Sequence, residues 1–254
     1  MAYKPVAASF DEAVADIPDG AFLHIGGFGG PGECPSYLIA ALARKGVKDL
    51  TMAGNHAGRG LEMVMSARQQ MSVVLDFPPD FYDPGLLVER GQVRKGILSF
   101  PAASGFVEFP FERALRDGKV ALELIGQGSL AERIRAARAG IAAFYTPVGV
   151  GTVVAEGKEI REFDGVPHIL EHALKADYSL IRAHKADRRG NLVYKGTGRT
   201  LNATMAGAAR ITIAEVDEIV ELGELDPEAI VTPGPYVQRL VVRPDGPRAW
   251  DEPC

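Results

Sequence analysis

The sequence predicts an α/β protein built on an open, mostly parallel sheet flanked by helices. Segments of strand type alternate with segments of helix type along the chain, the pattern of a parallel sheet with helical crossovers. Three of the apolar runs stop at glycine-bounded loops. The composition is that of an ordinary globular protein, 46% hydrophobic and 24% charged over 254 residues. That length is enough to bury a substantial core without disulfide staples. Residues 1–245 read as one domain, and the polar, Pro-rich residues 246–254 as a loosely ordered tail.

Taken in order, Ala21–Ile25 is a short apolar run that ends at glycines and reads as the first strand. Pro35–Lys45 has helical spacing and stops before Gly46, a favoured helix terminator. Leu50–Ala53 reads as the second strand, Arg94–Phe100 as the third and Val120–Ile125 as the fourth. Ser129 and Glu132 form the letters of a capping box, so a helix is expected over Leu130–Ala139, closed by Gly140. Ile160–Phe163 and Val166–Leu170 flank Asp164 and Gly165, a hairpin signal. Pro167 predicts an edge position for the second arm, because proline cannot donate to a ladder. Tyr178–Ala183 and Ile211–Val216 read as late strands.

Charge and composition exclude several functions. Lys+Arg 28 against Asp+Glu 33 leaves a net charge of −5, which argues against a nucleic-acid binder held by bulk charge. Two cysteines, Cys34 and Cys254, are too few for a disulfide framework and predict a cytoplasmic protein. Apolar runs are interrupted well before ~18 residues, so no membrane span is expected. The opening residues have no apolar segment of signal-peptide type.

Chemistry has three candidate positions. The first is the loop Gly26, Gly27, Phe28, Gly29, Gly30, Pro31 and Gly32, between a strand and a helix. Backbone without side chains can approach a ligand, and a helix N-terminus favours negative charge. A tight turn that binds nothing is the plain alternative. Gly27, Gly29 and Gly32 match GxGxxG, but the second strand lacks the acid that a nicotinamide dinucleotide needs. No Walker lysine follows the glycines. The second position is Gly54–Gly58, with Asn55 and His56. The third is Gly126, Gln127 and Gly128. In a parallel sheet all three emerge at the carboxyl ends of strands, where ligands of open α/β sheets bind. Asn55 and Gln127 then supply neutral amide donors.

A nucleophile is harder to find. No zinc-ligand spacing and no GxSxG elbow occurs. Cys34 reads as a small buried residue and His24 as a packed one; His56 is a possible base, and Glu33 is the one acid in these loops. His168 and His172 read as hairpin or surface residues.

The run IGGFGGPGECPSYL resembles the GGFGxxGxP signature of the alpha chain of family I CoA-transferases of the 3-oxoacid type. Further blocks agree in order, among them KDLTMAGNHAG, LELIGQGSLAERIRAARAGIAAFYTPVGVGT, RAHKADRRGNLVYKGTGR and VDEIVELGELDPEAIVTPGPYVQRLV. The resemblance runs from about Phe10 to Val242. It implies the CoA-transferase fold, a CoA thioester as substrate, no covalently bound cofactor, no metal, and a beta-subunit partner in an αβ or α2β2 assembly. It also implies ping-pong transfer through a glutamyl-CoA intermediate. The glutamate belongs to a Ser-Glu-Asn-Gly motif of the beta subunit, which this sequence lacks. Gln127 matches the family's glutamine near the acyl group, and Asn55 matches the first asparagine of its Asn-Asn-Ala-Gly block. Four departures bear on the acyl substrate and on transfer against hydrolysis. One residue is inserted at Gly32-Glu33-Cys34-Pro35. His56 replaces an asparagine and Gly126 a proline, and Gly198-Arg199-Thr200-Leu201 replaces Ala-Arg-Asn-Phe. The alternatives are one half of an acyl-CoA hydrolase on the same scaffold and a non-catalytic CoA-binding subunit.

Overall fold

A computed structural model describes residues 2–28, 34–60, 82–102 and 108–244. In chain order its main strands are β1 (Phe22–Ile25), β2 (Leu50–His56), β3 (Val93–Phe100) and β4 (Ala121–Leu124), then β5 (Ala143–Thr146), β6 (Ile160–Phe163) and β7 (Val166–His172). They are followed by β8 (Ala176–Asp187), β9 (Leu192–Val193), β10 (Ala209–Val220) and β11 (Arg239–Val242). The large sheet has the order β11-β10-β8-β1-β2-β3-β4, and every neighbouring pair along that path is parallel. The chain starts in the middle at β1, builds outward to β4, then returns to β8 and builds the other half. This doubly wound order puts a switch point between β1 and β8.

Helices cover both faces. Successive residues of β1 point to opposite sides, so Leu23 and Ile25 enter one core and Phe22 the other. The first core packs α1 (Phe10–Ala13), α2 (Ser36–Lys45), α3 (Gly85–Glu89) and α4 (Pro110–Arg116), with Leu38, Leu42, Leu87 and Phe111 fully buried. The second packs α5 (Gln127–Ala139) and α6 (Thr200–Met205) through Leu130, Ile134, Leu201 and Met205. Gly46 closes α2 and Gly140 closes α5, both in the left-handed conformation that glycine adopts without strain.

Several expectations hold with longer elements. β2 runs to His56 rather than Ala53, and β8 and β10 each reach 12 residues. The Asp164-Gly165 hairpin is present, with positive φ at both turn residues and Phe163 opposite Val166. Its β7 arm is not an edge strand, because β7 lies between β5 and β6 in a separate antiparallel sheet. Proline is tolerated there for a simple reason. β5 pairs only with Ile169–His172, so Pro167 faces β6 alone. The capping box over Ser129 and Glu132 is also overturned. The helix starts earlier, at Gln127, with Gly126 extended before it and the Gly126 carbonyl accepting from the Leu130 amide at 2.8 Å. Glu132 bonds to Arg135 instead. The tail expected over residues 246–254 lies outside the described residues.

The small sheet is fixed to α5 by buried charge. Arg133 donates to Glu123 of β4 at 2.8 Å and to the His172 carbonyl at 2.7 Å, and lies 3.7 Å from Glu171. Glu171 in turn accepts from Lys158 at 2.5 Å. Burial pushes the Glu123 carboxyl up, but Lys95 and Arg133 outweigh it and hold it below its ordinary range. No helix among the described residues is long and apolar enough to cross a membrane.

Candidate active site

Because the sheet is parallel, the loops after β1, β2 and β4 leave on the same edge. The structure brings their polar groups into contact. Asn55, near the end of β2 and 7% exposed, donates through Nδ2 to the Phe28 carbonyl at 3.1 Å. Its Oδ1 accepts from Gln127 Nε2 at 2.7 Å. Gln127 occupies the first turn of α5, a position it gains because the helix opens at Gly126. Phe28, Asn55 and Gln127 thus form one line of neutral amide groups across the ends of three elements. Neutral donors in fixed positions suit an oxygen on which negative charge develops.

Gly26 and Gly27 also have defined surroundings. A Cβ at Gly26 would lie 1.8 Å from Asn202 Oδ1. Gly27 adopts φ of 104°, open to glycine and rarely to other residues. By contrast, a Cβ at Gly128 would meet nothing within 4 Å. Gly29, Gly30, Pro31, Gly32 and Glu33 lie outside the described residues.

His56 ends β2, and its Nδ1 accepts from the Gly58 amide at 2.8 Å, so the ring proton of the neutral form sits on Nε2. The following loop is held by Asp83, whose buried carboxylate accepts from the amides of Arg59, Gly60 and Gly85. Cys34 is buried within the first core, as its sequence setting suggested. His24 is fully buried beside Ser179, and burial pushes its imidazole down to about 3. Neither residue is placed to act as a nucleophile. Among the described residues, no group of three or more His, Cys, Asp or Glu side chains is arranged to hold a metal ion.

Sequence reasoning missed the charged residues at the opening of α2. Glu215 of β10 is fully buried, and its Oε2 accepts from the amides of Tyr37 at 3.0 Å and Leu38 at 3.1 Å. Those amides open α2, which has no acid in its own first turn. Arg243 pairs with the other Glu215 oxygen and lies 4.6 Å above the Tyr37 ring. Arg182 and His184 hold Asp217 at 3.2 and 3.1 Å. Burial pushes the Glu215 carboxyl up, while Arg243, Arg182 and the Leu38 amide favour its charged form. The positive end of α2 is therefore occupied by a side chain of this chain. A phosphate of a dinucleotide would find its place taken, a second argument against the GxGxxG reading. One signal was available: an acid inside the apolar run ITIAEV requires a buried partner.

Comparison with known proteins finds similar chains over most of this sequence. The family described as Coenzyme A transferase matches residues 7–80 and 73–243. The chain is 47% identical over 233 residues to the A subunit of 3-oxoadipate CoA-transferase from Pseudomonas putida, covering 92% of this chain and 91% of that protein. It is 41% identical over 235 residues to the A subunit of succinyl-CoA:3-ketoacid coenzyme A transferase from Helicobacter pylori, covering 92% and 90%. A solved acyl-CoA transferase from E. coli, in a thioester complex with CoA, superposes with a TM-score of 0.78 at 23% identity. That similarity covers 98% of this chain and 49% of the E. coli chain, so the present fold corresponds to about half of it.

Proposed function

The chain belongs to the coenzyme A transferase family, and from that membership we propose that it is the alpha half of a two-chain enzyme. The enzyme moves CoA from succinyl-CoA to a 3-oxo or dicarboxylic acid. The partner is a beta subunit that carries the nucleophilic glutamate. That carboxylate attacks the thioester carbonyl, the C–S bond breaks, and CoA leaves as the thiolate with an acyl-glutamyl anhydride left behind. The thiolate then attacks the glutamyl carbonyl and releases the donor acid, giving a glutamyl-CoA thioester. The acceptor carboxylate reverses the two steps with its own acyl group. Splitting the exchange in this way replaces one difficult step by easier ones.

The observation that carries this reading is the line Phe28–Asn55–Gln127. It offers amide groups at one edge of the sheet, while the described acids and thiol nearby are committed elsewhere. Glu215 is held by Arg243 and two backbone amides, Asp83 by three amides, and Cys34 is buried. Gln127 and Asn55 are assigned to the acyl oxygen. Gly26, Gly27, Phe28, Gly128 and His56 are assigned to the surrounding acyl-CoA site. Two cysteines in the whole chain fit a reducing cytoplasm.

The test is co-expression with the neighbouring reading frame, followed by a succinyl-CoA assay on the chain alone and on the pair, with and without an acceptor acid. Transfer by the pair alone, dependent on acceptor, is the expected result. Release of free CoA at the same rate without acceptor would make the complex a hydrolase. Full activity of the isolated chain would return the nucleophile to this sequence.

A further inference from the structure

We infer that Arg199 is the specificity residue of this site and recognises the distal carboxylate of a dicarboxylic acyl group. The inference rests on the transferase reading above and names the substrate class within it.

The position of Arg199 follows from the topology. β9 pairs antiparallel with the far end of β8, Val193 opposite Lys185, and so returns the chain toward the end of β1. The one-turn segment Gly196–Arg199 is then pinned in place. Asn202, fully buried, donates from Nδ2 to the Gly198 carbonyl at 2.9 Å and accepts on Oδ1 from the Arg182 amide at 2.9 Å. The same Oδ1 fills the space that a Cβ of Gly26 would need. Arg199 thus follows a backbone segment tied, through one side chain, to the end of β1 at the switch point of the sheet.

Gln127 lies across from it. Helices α5 and α6 pack against each other on one face of the sheet, α5 over β2 and β3, α6 over β8 and β1. Gln127 opens the first helix and Arg199 immediately precedes the second, both on the carboxyl-end edge. The loop Gly26–Phe28 leaves the sheet at β1, between the positions that α5 and α6 cover. Contacts link the two positions across this loop, from Gln127 through Asn55 to Phe28 and from Gly26 through Asn202 to Gly198, and an acyl chain with its thioester carbonyl at Gln127 is read as extending its second carboxylate toward Arg199.

Arg199 is also chemically available. It is exposed, and no hydrogen bond or ion pair engages its guanidinium among the described residues. Its neighbours on this edge differ. Arg182 is held by Asp217 and Arg243 by Glu215. The adjacent Thr200 hydroxyl is shielded from solvent without a partner among the described residues. A planar guanidinium with paired donors matches a carboxylate better than any other side chain does.

The experiment uses the assembled two-chain complex with Arg199→Gln and Arg199→Lys, and two donors of equal chain length. Succinyl-CoA ends in a carboxylate and butyryl-CoA in a methyl group. Arg199→Gln is expected to lower kcat/KM for succinyl-CoA about 10- to 100-fold, chiefly through KM, as for loss of one charge-assisted hydrogen bond. Butyryl-CoA should change less than about twofold, and Arg199→Lys should fall between. An equal loss with both donors, or no loss with succinyl-CoA, overturns the assignment. Thermal protection of the complex by adipate, with pentanoate as control, reads the same contact without turnover. Protection that requires Arg199 in a complex with no transferase activity would sink the transferase reading and keep the carboxylate site. Transfer without any dependence on Arg199 would do the reverse. Neither transfer nor protection in the parent complex would overturn both.

Discussion

The Oε2 of Glu215 lies 3.0 Å from the backbone nitrogen of Tyr37, at the opening of the helix that follows the glycine loop. A helix N-terminus carries about half a positive charge from its aligned peptide dipoles. In nucleotide-binding loops that charge meets a phosphate. Here it meets a carboxylate from a strand 178 residues away in sequence. The helix after the glycine loop is therefore capped by an internal anion and is not free to take an external one.

Glu215→Gln tests that anchor. The substitution keeps the shape but removes the nearer carboxylate of Arg243, itself buried, and leaves it the more distant Asp217 at 3.5 Å. Breaking a buried ion pair by removing one partner costs about 3–5 kcal/mol. Urea unfolding should show a loss of that order. A loss below about 1 kcal/mol would mean that the pair contributes little beyond its hydrogen bonds.

His24 makes the fold acid-sensitive. Its imidazole is held down to about 3 by burial, against an ordinary value of 6.5. The unfolded chain takes up this proton below pH 6.5 and the folded chain does not until near 3. Its contribution to stability is thus complete above pH 6.5 and is lost as pH falls toward 3. At pH 5 the loss is about 2 kcal/mol, at 1.36 kcal/mol per unit. Unfolding curves at pH 7 and pH 5 should show a stability drop in the parent chain that is smaller by that amount in His24→Gln. Equal drops in both would place the acid sensitivity in other groups.

Gly26 and Gly128 should respond in opposite ways to alanine. At Gly26 the new methyl group meets the Asn202 amide oxygen at 1.8 Å, and Asn202 cannot yield without giving up its bonds to Arg182 and Gly198. Overpacking of this kind costs about 1–3 kcal/mol or more. At Gly128, inside α5 and facing open space, alanine gains helix propensity worth up to about 1 kcal/mol. Differential scanning calorimetry of the two variants should therefore show Tm falling for the first and holding or rising for the second. A lower Tm for Gly128→Ala would contradict the open space. Weaker acyl-CoA use at an unchanged Tm would identify Gly128 as a contact of the substrate.

Much of this was legible in the sequence, for reasons that differ by residue. β1, β2, β3, β4, β8 and β10 contain apolar runs bounded by glycine or turn residues, and that local pattern is enough to find them, though β2, β8 and β10 extend beyond their runs and the four-residue β11 carries no such signal. Asn55 and Gln127 were readable as partners only through the parallel-sheet argument, which gathers the ends of β1, β2 and β4 on one edge. The start of α5 was misplaced because Ser129 and Glu132 carry the letters of a cap, while the actual start depends on the extended backbone of Gly126. The edge assignment for Pro167 failed because strand length, not strand order, left its nitrogen unopposed. Glu215, Asn202 and Asp83 were invisible because their partners lie far away in the chain or on backbone amides, which no local motif records.

In the mechanism proposed for the pair, this chain supplies neutral donors and its partner supplies the nucleophile. Intact-mass spectrometry of the complex, after incubation with succinyl-CoA and rapid denaturation, tests that division of labour most directly. The partner is expected to gain the mass of CoA in thioester linkage while this chain keeps its own mass. CoA or succinyl mass on this chain would contradict it.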